Sequence, residues 1–137
     1  PDGVLCLYSA WAYYELTTQI PQGFYVAIPR KQKITLPDYP PIILNYWDRS
    51  IYSVGIVRRQ INGFEIPIYD MEKSTCDAIR CRNKIGIDVS SEILKNYLSR
   101  KERNITRLAA YAKSMRIAGI LNKYLEIQKN RKTTASP

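Results

Sequence analysis

Histidine is absent from all 137 residues, which removes the commonest general acid/base and the usual activator of a serine or cysteine nucleophile. Cysteine is scarce and odd in number: Cys6, Cys76 and Cys81. The last two lie in a helical pattern at a spacing that turns them about 140° apart, so they are poorly placed to pair. Without histidine a zinc site would need four thiolates or carboxylates, which three scattered cysteines do not supply. Reduced thiols in a cytoplasmic protein, with no disulfide, metal or other cofactor, are expected. No apolar run approaches the roughly 20 residues of a membrane span. The longest, Val4 to Tyr14, is interrupted by Ser9, so a soluble chain without a membrane partner is expected. No basic segment leads into an apolar stretch with a cleavage site, and the start at Pro1 reads as a domain cut from a longer protein. A glycine-rich phosphate loop is also missing.

What is present is the composition of a globular fold: 45% hydrophobic and 24% charged residues, in a chain of the size of one domain. The formal charge of +9 is one-sided. Residues 1–79 hold seven Lys or Arg against eight Asp or Glu, whereas residues 80–137 hold fourteen against four. The second half therefore carries the whole excess, a distribution that points to an acidic partner, either nucleic acid or a negatively charged protein face.

Leu5, Tyr8, Ala12 and Glu15 recur at helical spacing, so a helix is expected over Val4 to Leu16. Phe24 to Ile28 and Ile42 to Trp47 read as strands, separated by a proline-bounded loop with Arg30, Lys31 and Lys33. Ile51 to Ile61 and Phe64 to Tyr69 flank Asn62-Gly63, the pair that best tolerates the two positive φ angles of a type I′ hairpin. Phe64, Ile66 and Ile68 alternate with Glu65, Pro67 and Tyr69, which predicts one buried face. Pro67 lacks a donor, so its strand lies at an edge or starts pairing only on its other side.

From Asp70 the pattern is helical, with Met71, Thr75, Ala78 and Ile79 as the apolar stripe and Lys73, Asp77, Arg80 and Lys84 as the polar one. Gly86 ends that helix. Asp88 is expected to cap a second helix with Val89, Ile93, Leu94, Tyr97 and Leu98 inward. Asn104 is expected to cap a third with Ile105, Leu108, Ala109, Ala112 and Met115 inward. Ile117, Ile120, Leu121, Tyr124 and Leu125 define a fourth. The expected class is α+β: a small sheet with an Asn-Gly hairpin, an N-terminal helix and about four C-terminal helices, in one domain over residues 1–129 with a polar tail at 130–137.

Five stretches carry a family resemblance: Pro1 to Ala10, Leu16 to Pro21, Ala27 to Arg30, Glu72 to Asp77, and Arg82 to Asp88. In this order and spacing they resemble the C-terminal antitoxin domain of AbiEi-type regulators from type IV toxin–antitoxin systems, over about residues 1–127. The resemblance implies a non-enzymatic domain that counters a cognate nucleotidyltransferase toxin without a stable complex being required. It also implies an N-terminal winged helix-turn-helix that binds DNA and represses the operon. No stretch here reads as that winged helix.

The resemblance marks Arg82, Asn83, Gly86 and Asp88 as a signature without assigning chemistry. Arg82 follows the apolar stripe, where an ion pair or hydrogen-bond fan is favoured over a binding role. For Arg80 and Lys84, i and i+4 on the polar stripe, a solvated face and a partner contact stay open. Arg100, Lys101, Arg103, Arg107, Lys113, Arg116 and Lys123 supply most of the remaining excess, beyond what helix capping explains. Arg103 and Arg107, also i and i+4, are expected to share an outer face with Arg100 and Lys101 in the preceding turn. Tyr97, Tyr111 and Tyr124 interleave with this charge, either sealing the core or stacking on nucleotide bases, RNA included. Glu65, Asp70, Glu72 and Asp77 match no spacing of a metal-dependent nuclease. A nucleic-acid-binding module is the alternative to an antitoxin domain, and a nuclease-like enzyme a distant third.

Overall fold

The computed structural model describes residues 3–30 and 34–135, with side chains described through residue 130. Lys31 and Lys33 of the expected basic loop lie outside the described residues. The elements run β1 (Val4–Leu5), α1 (Leu7–Tyr13), β2 (Phe24–Pro29), β3 (Ile42–Trp47), α2 (Arg49–Tyr52), β4 (Ile56–Ile61) and β5 (Phe64–Tyr69). The helices α3 (Met71–Arg80), α4 (Arg82–Ile85), α5 (Ile87–Leu98), α6 (Ile105–Ser114) and α7 (Ala118–Ala135) follow. The class is α+β, with one mixed sheet in the order β3-β2-β1-β5-β4.

The opening segment divides differently from expectation. Val4 and Leu5 form a strand, because two residues there join the halves of the sheet: Val4 pairs with Ala27 and Leu5 with both Val26 and Ile68. The helix begins only after the extended Cys6, and Glu15, at φ 58°, is already in the left-handed region. The strand expected from Ile51 is also shorter. Ile51 and Tyr52 close α2, and Gly55, at φ 77°, turns the chain into β4.

The hairpin matches the expectation: Asn62 and Gly63 take φ 51° and 82°, and Ile61 stands opposite Phe64. Burial along β5 does not alternate but rises, from Phe64 at 70% exposed to Ile68 and Tyr69 at 0%. The hairpin tip is exposed while its base is flanked by β1 and enters the core. β5 is therefore no edge strand, but its pairing to β1 is recorded only at Ile68, just past Pro67. The missing donor of Pro67 costs no bond to β1.

α3 is the hub, contacting α1, α5, α6 and α7. One apolar cluster surrounds it, with Trp11, Leu16, Ala27, Tyr69, Ile79, Leu94, Tyr97, Leu108 and Leu121. Trp11 Nε1 donates to the Ser74 carbonyl at 2.8 Å, tying α1 to this helix. The helix expected to reach Gly86 breaks at Cys81 into α3 and α4, and Gly86, at φ 97°, then caps α5 itself. Asp88 consequently sits inside the first turn of α5 and is not its cap. Asn104 does cap α6, accepting from Arg107 N at 3.0 Å. Leu108 and Ala112 of α6 and its C-cap Met115 face inward as expected, but Ile105 and Ala109 are exposed. α7 continues through most of the expected polar tail to Ala135. Among the described residues, no helix is long and apolar enough to cross a membrane.

Candidate functional site

The polar stripe of α3 is largely withheld from water, with only Arg80 partly exposed. Glu72, Lys73 and Asp77 are at most 3% exposed, and so is the rest of the helix between Ser74 and Ile79. Lys73 Nζ donates to Asp77 Oδ2 at 2.9 Å and lies 3.7 Å from the centre of the Tyr69 ring and 4.4 Å from that of Trp47. Arg80 reaches the other oxygen of Asp77 at 3.0 Å and lies over Trp47 with its guanidinium carbon 4.5 Å from the ring centre. Burial lowers the Lys73 pKa despite the attraction of Asp77. Burial also acts to lower that of Arg80, but there Asp77 prevails and raises it. Burial pushes the Cys76 thiol up to about 12 and raises Cys6 and Cys81 as well, which keeps these thiols protonated and unreactive.

At the N-terminal end of α3 the same helix opens into a cleft of about 400 Å³. Asp70 caps α3 by accepting from Lys73 N at 2.8 Å, and its other oxygen accepts from the Tyr111 hydroxyl at 2.7 Å. Glu72 Oε2 accepts from the Tyr97 hydroxyl at 2.7 Å and from Asn104 N at 3.0 Å, while Oε1 stands 3.7 Å from Arg107. These bonds staple the starts of α3 and α6 together. Burial raises the Asp70 pKa, only partly offset by its two hydrogen bonds, and raises the Tyr97 and Tyr111 hydroxyls. Tyr13, Tyr14, Glu15, Arg59, Arg100 and Glu102 complete the cleft. Three guanidinium groups thus face four carboxylates, a mixed lining suited to a ligand that carries both signs of charge.

The expected basic residues are not one surface. Arg100 and Arg107 meet in this cleft, Arg100 donating to the Glu15 carbonyl at 2.7 Å. Arg103 belongs to the α5–α6 turn and lines a different groove, so it shares no helical face with Arg107. Arg116, at φ 62° in the α6–α7 turn, lies near Asp48 at another site. Lys101, Lys113 and Lys123 are exposed. Arg80 and Lys84 do not share an outward stripe, because the break at Cys81 puts Lys84 on α4, exposed, while Arg80 turns to Asp77. Arg82 has a hydrogen bond to the Ile79 carbonyl at 3.1 Å and no ion pair among the described residues; Asn83, its neighbour on α4, is exposed. Tyr97 and Tyr111 spend their hydroxyls on Glu72 and Asp70, and Tyr124 is half-buried. Glu65 pairs loosely with Arg58 at 3.7 Å, far along the hairpin from Asp77, and no three metal-ligating side chains gather among the described residues.

Sequence reasoning missed Gly55, Arg59 and the Tyr13-Tyr14 pair. A Cβ on Gly55 would lie 2.6 Å from Lys73 Cβ and 3.0 Å from Asp70 Oδ1, so this glycine lets the chain pass directly over α3. An isolated glycine between Val54 and Ile56 was the available signal. The domain is thus an α+β fold built on a helix whose charges are turned inward. Comparison with known proteins yields no match to any family model or to any curated protein.

Proposed function

We propose that this chain is the antitoxin domain of an AbiEi-type regulator, non-catalytic, acting against a cognate nucleotidyltransferase toxin, with operator DNA bound by a winged helix outside this chain. One observation supports the reading: the five stretches that carry the resemblance, scattered over 88 residues of sequence, all contribute to one core. Val4, Cys6 and Leu7 from the first, Leu16 from the second, Ala27 from the third and Cys76 from the fourth share a single cluster, with Ile85 of the fifth packed on it. A signature whose parts meet in this way belongs to the making of the domain. The charged residues that remain outside are then available to partners.

The test is co-expression in growing cells with the nucleotidyltransferase encoded beside this chain. Growth is restored if the proposal holds; cells that die while the folded chain accumulates refute it. The exposed Lys84, Lys101, Lys113, Arg116 and Lys123 support a second reading, a nucleic-acid-binding module. On that reading, affinity for random duplex DNA falls by orders of magnitude between low and physiological salt and the chain restores no growth.

A further inference from the structure

Between α5 and α7 runs a groove of about 260 Å³, lined by Lys95, Leu98, Arg103, Leu125, Gln128 and Lys129. Its floor is aliphatic, since Leu98 and Leu125 are half-buried against the core. Its rim carries Lys95 of α5 and Arg103 of the α5–α6 turn, and none of its described lining residues is acidic. The walls are held in place. Gln128 Nε2 donates to the Ser91 carbonyl at 3.1 Å, tying α7 to α5, and Arg103 Nη1 donates to the Arg100 carbonyl at 2.7 Å.

From this arrangement we propose that the groove docks an acidic amphipathic segment of a partner protein. An apolar side chain enters between Leu98 and Leu125, and flanking Asp or Glu side chains meet Lys95 and Arg103. Charge complementarity sets the sign of the occupant and the floor sets its class. A nucleic acid would satisfy the cations, but an aliphatic floor without an aromatic ring offers its bases no stacking platform. A protein segment uses both features, the floor for a desolvated anchor and the rim for steering and register. The small volume admits one or two large side chains, which fits a single helix laid along the groove. The inference stands apart from the antitoxin proposal and holds whichever process the partner serves.

The test titrates the whole chain into a fluorescein-labelled helical peptide of about 15 residues, leucine on one face and glutamate on the other, read by fluorescence anisotropy. Saturable binding is expected, weakened at least about tenfold by the double variant Lys95→Glu, Arg103→Glu with its circular dichroism unchanged. Should that variant not fold, Lys95→Gln with Arg103→Gln serves, with a smaller loss expected. Equal binding by the folded variants overturns the proposal. So does equal binding of a shuffled peptide of the same composition, or displacement of the peptide by single-stranded oligothymidine at equal charge.

Discussion

Two helical regions of this protein carry charge in opposite ways. α3 has four charged residues from Glu72 to Arg80 within ten positions and buries three of them fully, whereas α6 and α7 leave Lys113 and Lys123 in water. α3 and α6 are amphipathic in the same way. Periodicity reports which residues are polar and not whether the polar side meets solvent; that depends on how many elements surround the helix. α3 is enclosed by α1, α5, α6 and the base of the hairpin, so its polar side is desolvated and each charge must find a partner. α6 and α7 are packed on one side only.

The largest expected effect breaks the buried side of this contrast. Asp77→Asn strands both Lys73 and Arg80 and should cost about 3–5 kcal/mol in denaturant unfolding. Lys73→Met leaves Asp77 held by Arg80 and should cost clearly less, under about 3 kcal/mol. Equal losses would mean that Lys73 and Asp77 are not a coupled pair. Next come two glycines that share a positive φ and differ in surroundings. Gly55→Ala adds a clash with Lys73 Cβ to the backbone strain and should cost about 3 kcal/mol or more. Gly63→Val, with nothing within 4 Å of its Cβ, should cost only the strain, about 1–2 kcal/mol. Thermal melts of the two variants decide, and the reverse order would contradict the packing described.

A third, smaller effect is read against pH. The folded state holds the Asp70 proton more tightly than the unfolded chain, whose carboxyl titrates near 3.8. The stability Asp70 contributes is therefore complete below that pH and is lost as pH rises through the raised folded pKa. Asn caps as well as Asp but does not titrate, so the stability of wild type minus Asp70→Asn should fall from about pH 4 upward. Urea midpoints of both proteins across that range check it, and a difference that rises instead would reverse the assignment. Smallest of all, Lys113→Glu and Lys123→Glu should each change stability by only a few tenths of a kcal/mol, measured in the same way.

Local signals made much of this architecture legible. Asn62-Gly63 specified its turn because few other pairs tolerate two left-handed residues in succession, and β3 began where expected because Pro40 and Pro41 close off its start. Asn104 declared a helix start through its side chain. The misreadings share a cause in long-range contacts. Val4 and Leu5 are helical by local pattern but complete a sheet by pairing with the distant Val26, Ala27 and Ile68. Arg103 and Arg107 share a spacing but not a helix. Of the cleft, the second-half arginines were singled out, while Arg59 and Glu15 were not, since only tertiary packing brings the hairpin and the end of α1 beside Arg100.

On the proposed function, charge on α3 maintains the fold while charge on the later helices and their turns serves partners. The most direct measurement is toxin rescue by a variant with Lys101, Arg103, Lys113 and Arg116 all changed to Glu, compared with wild type at equal expression. These side chains are exposed, so stability should fall by no more than about 1–2 kcal/mol, verified by circular dichroism melts. Retained folding with lost rescue is the predicted result. Full rescue by the folded variant would contradict it and place the working surface elsewhere, first of all in the mixed-charge cleft of Arg59, Arg100 and Arg107.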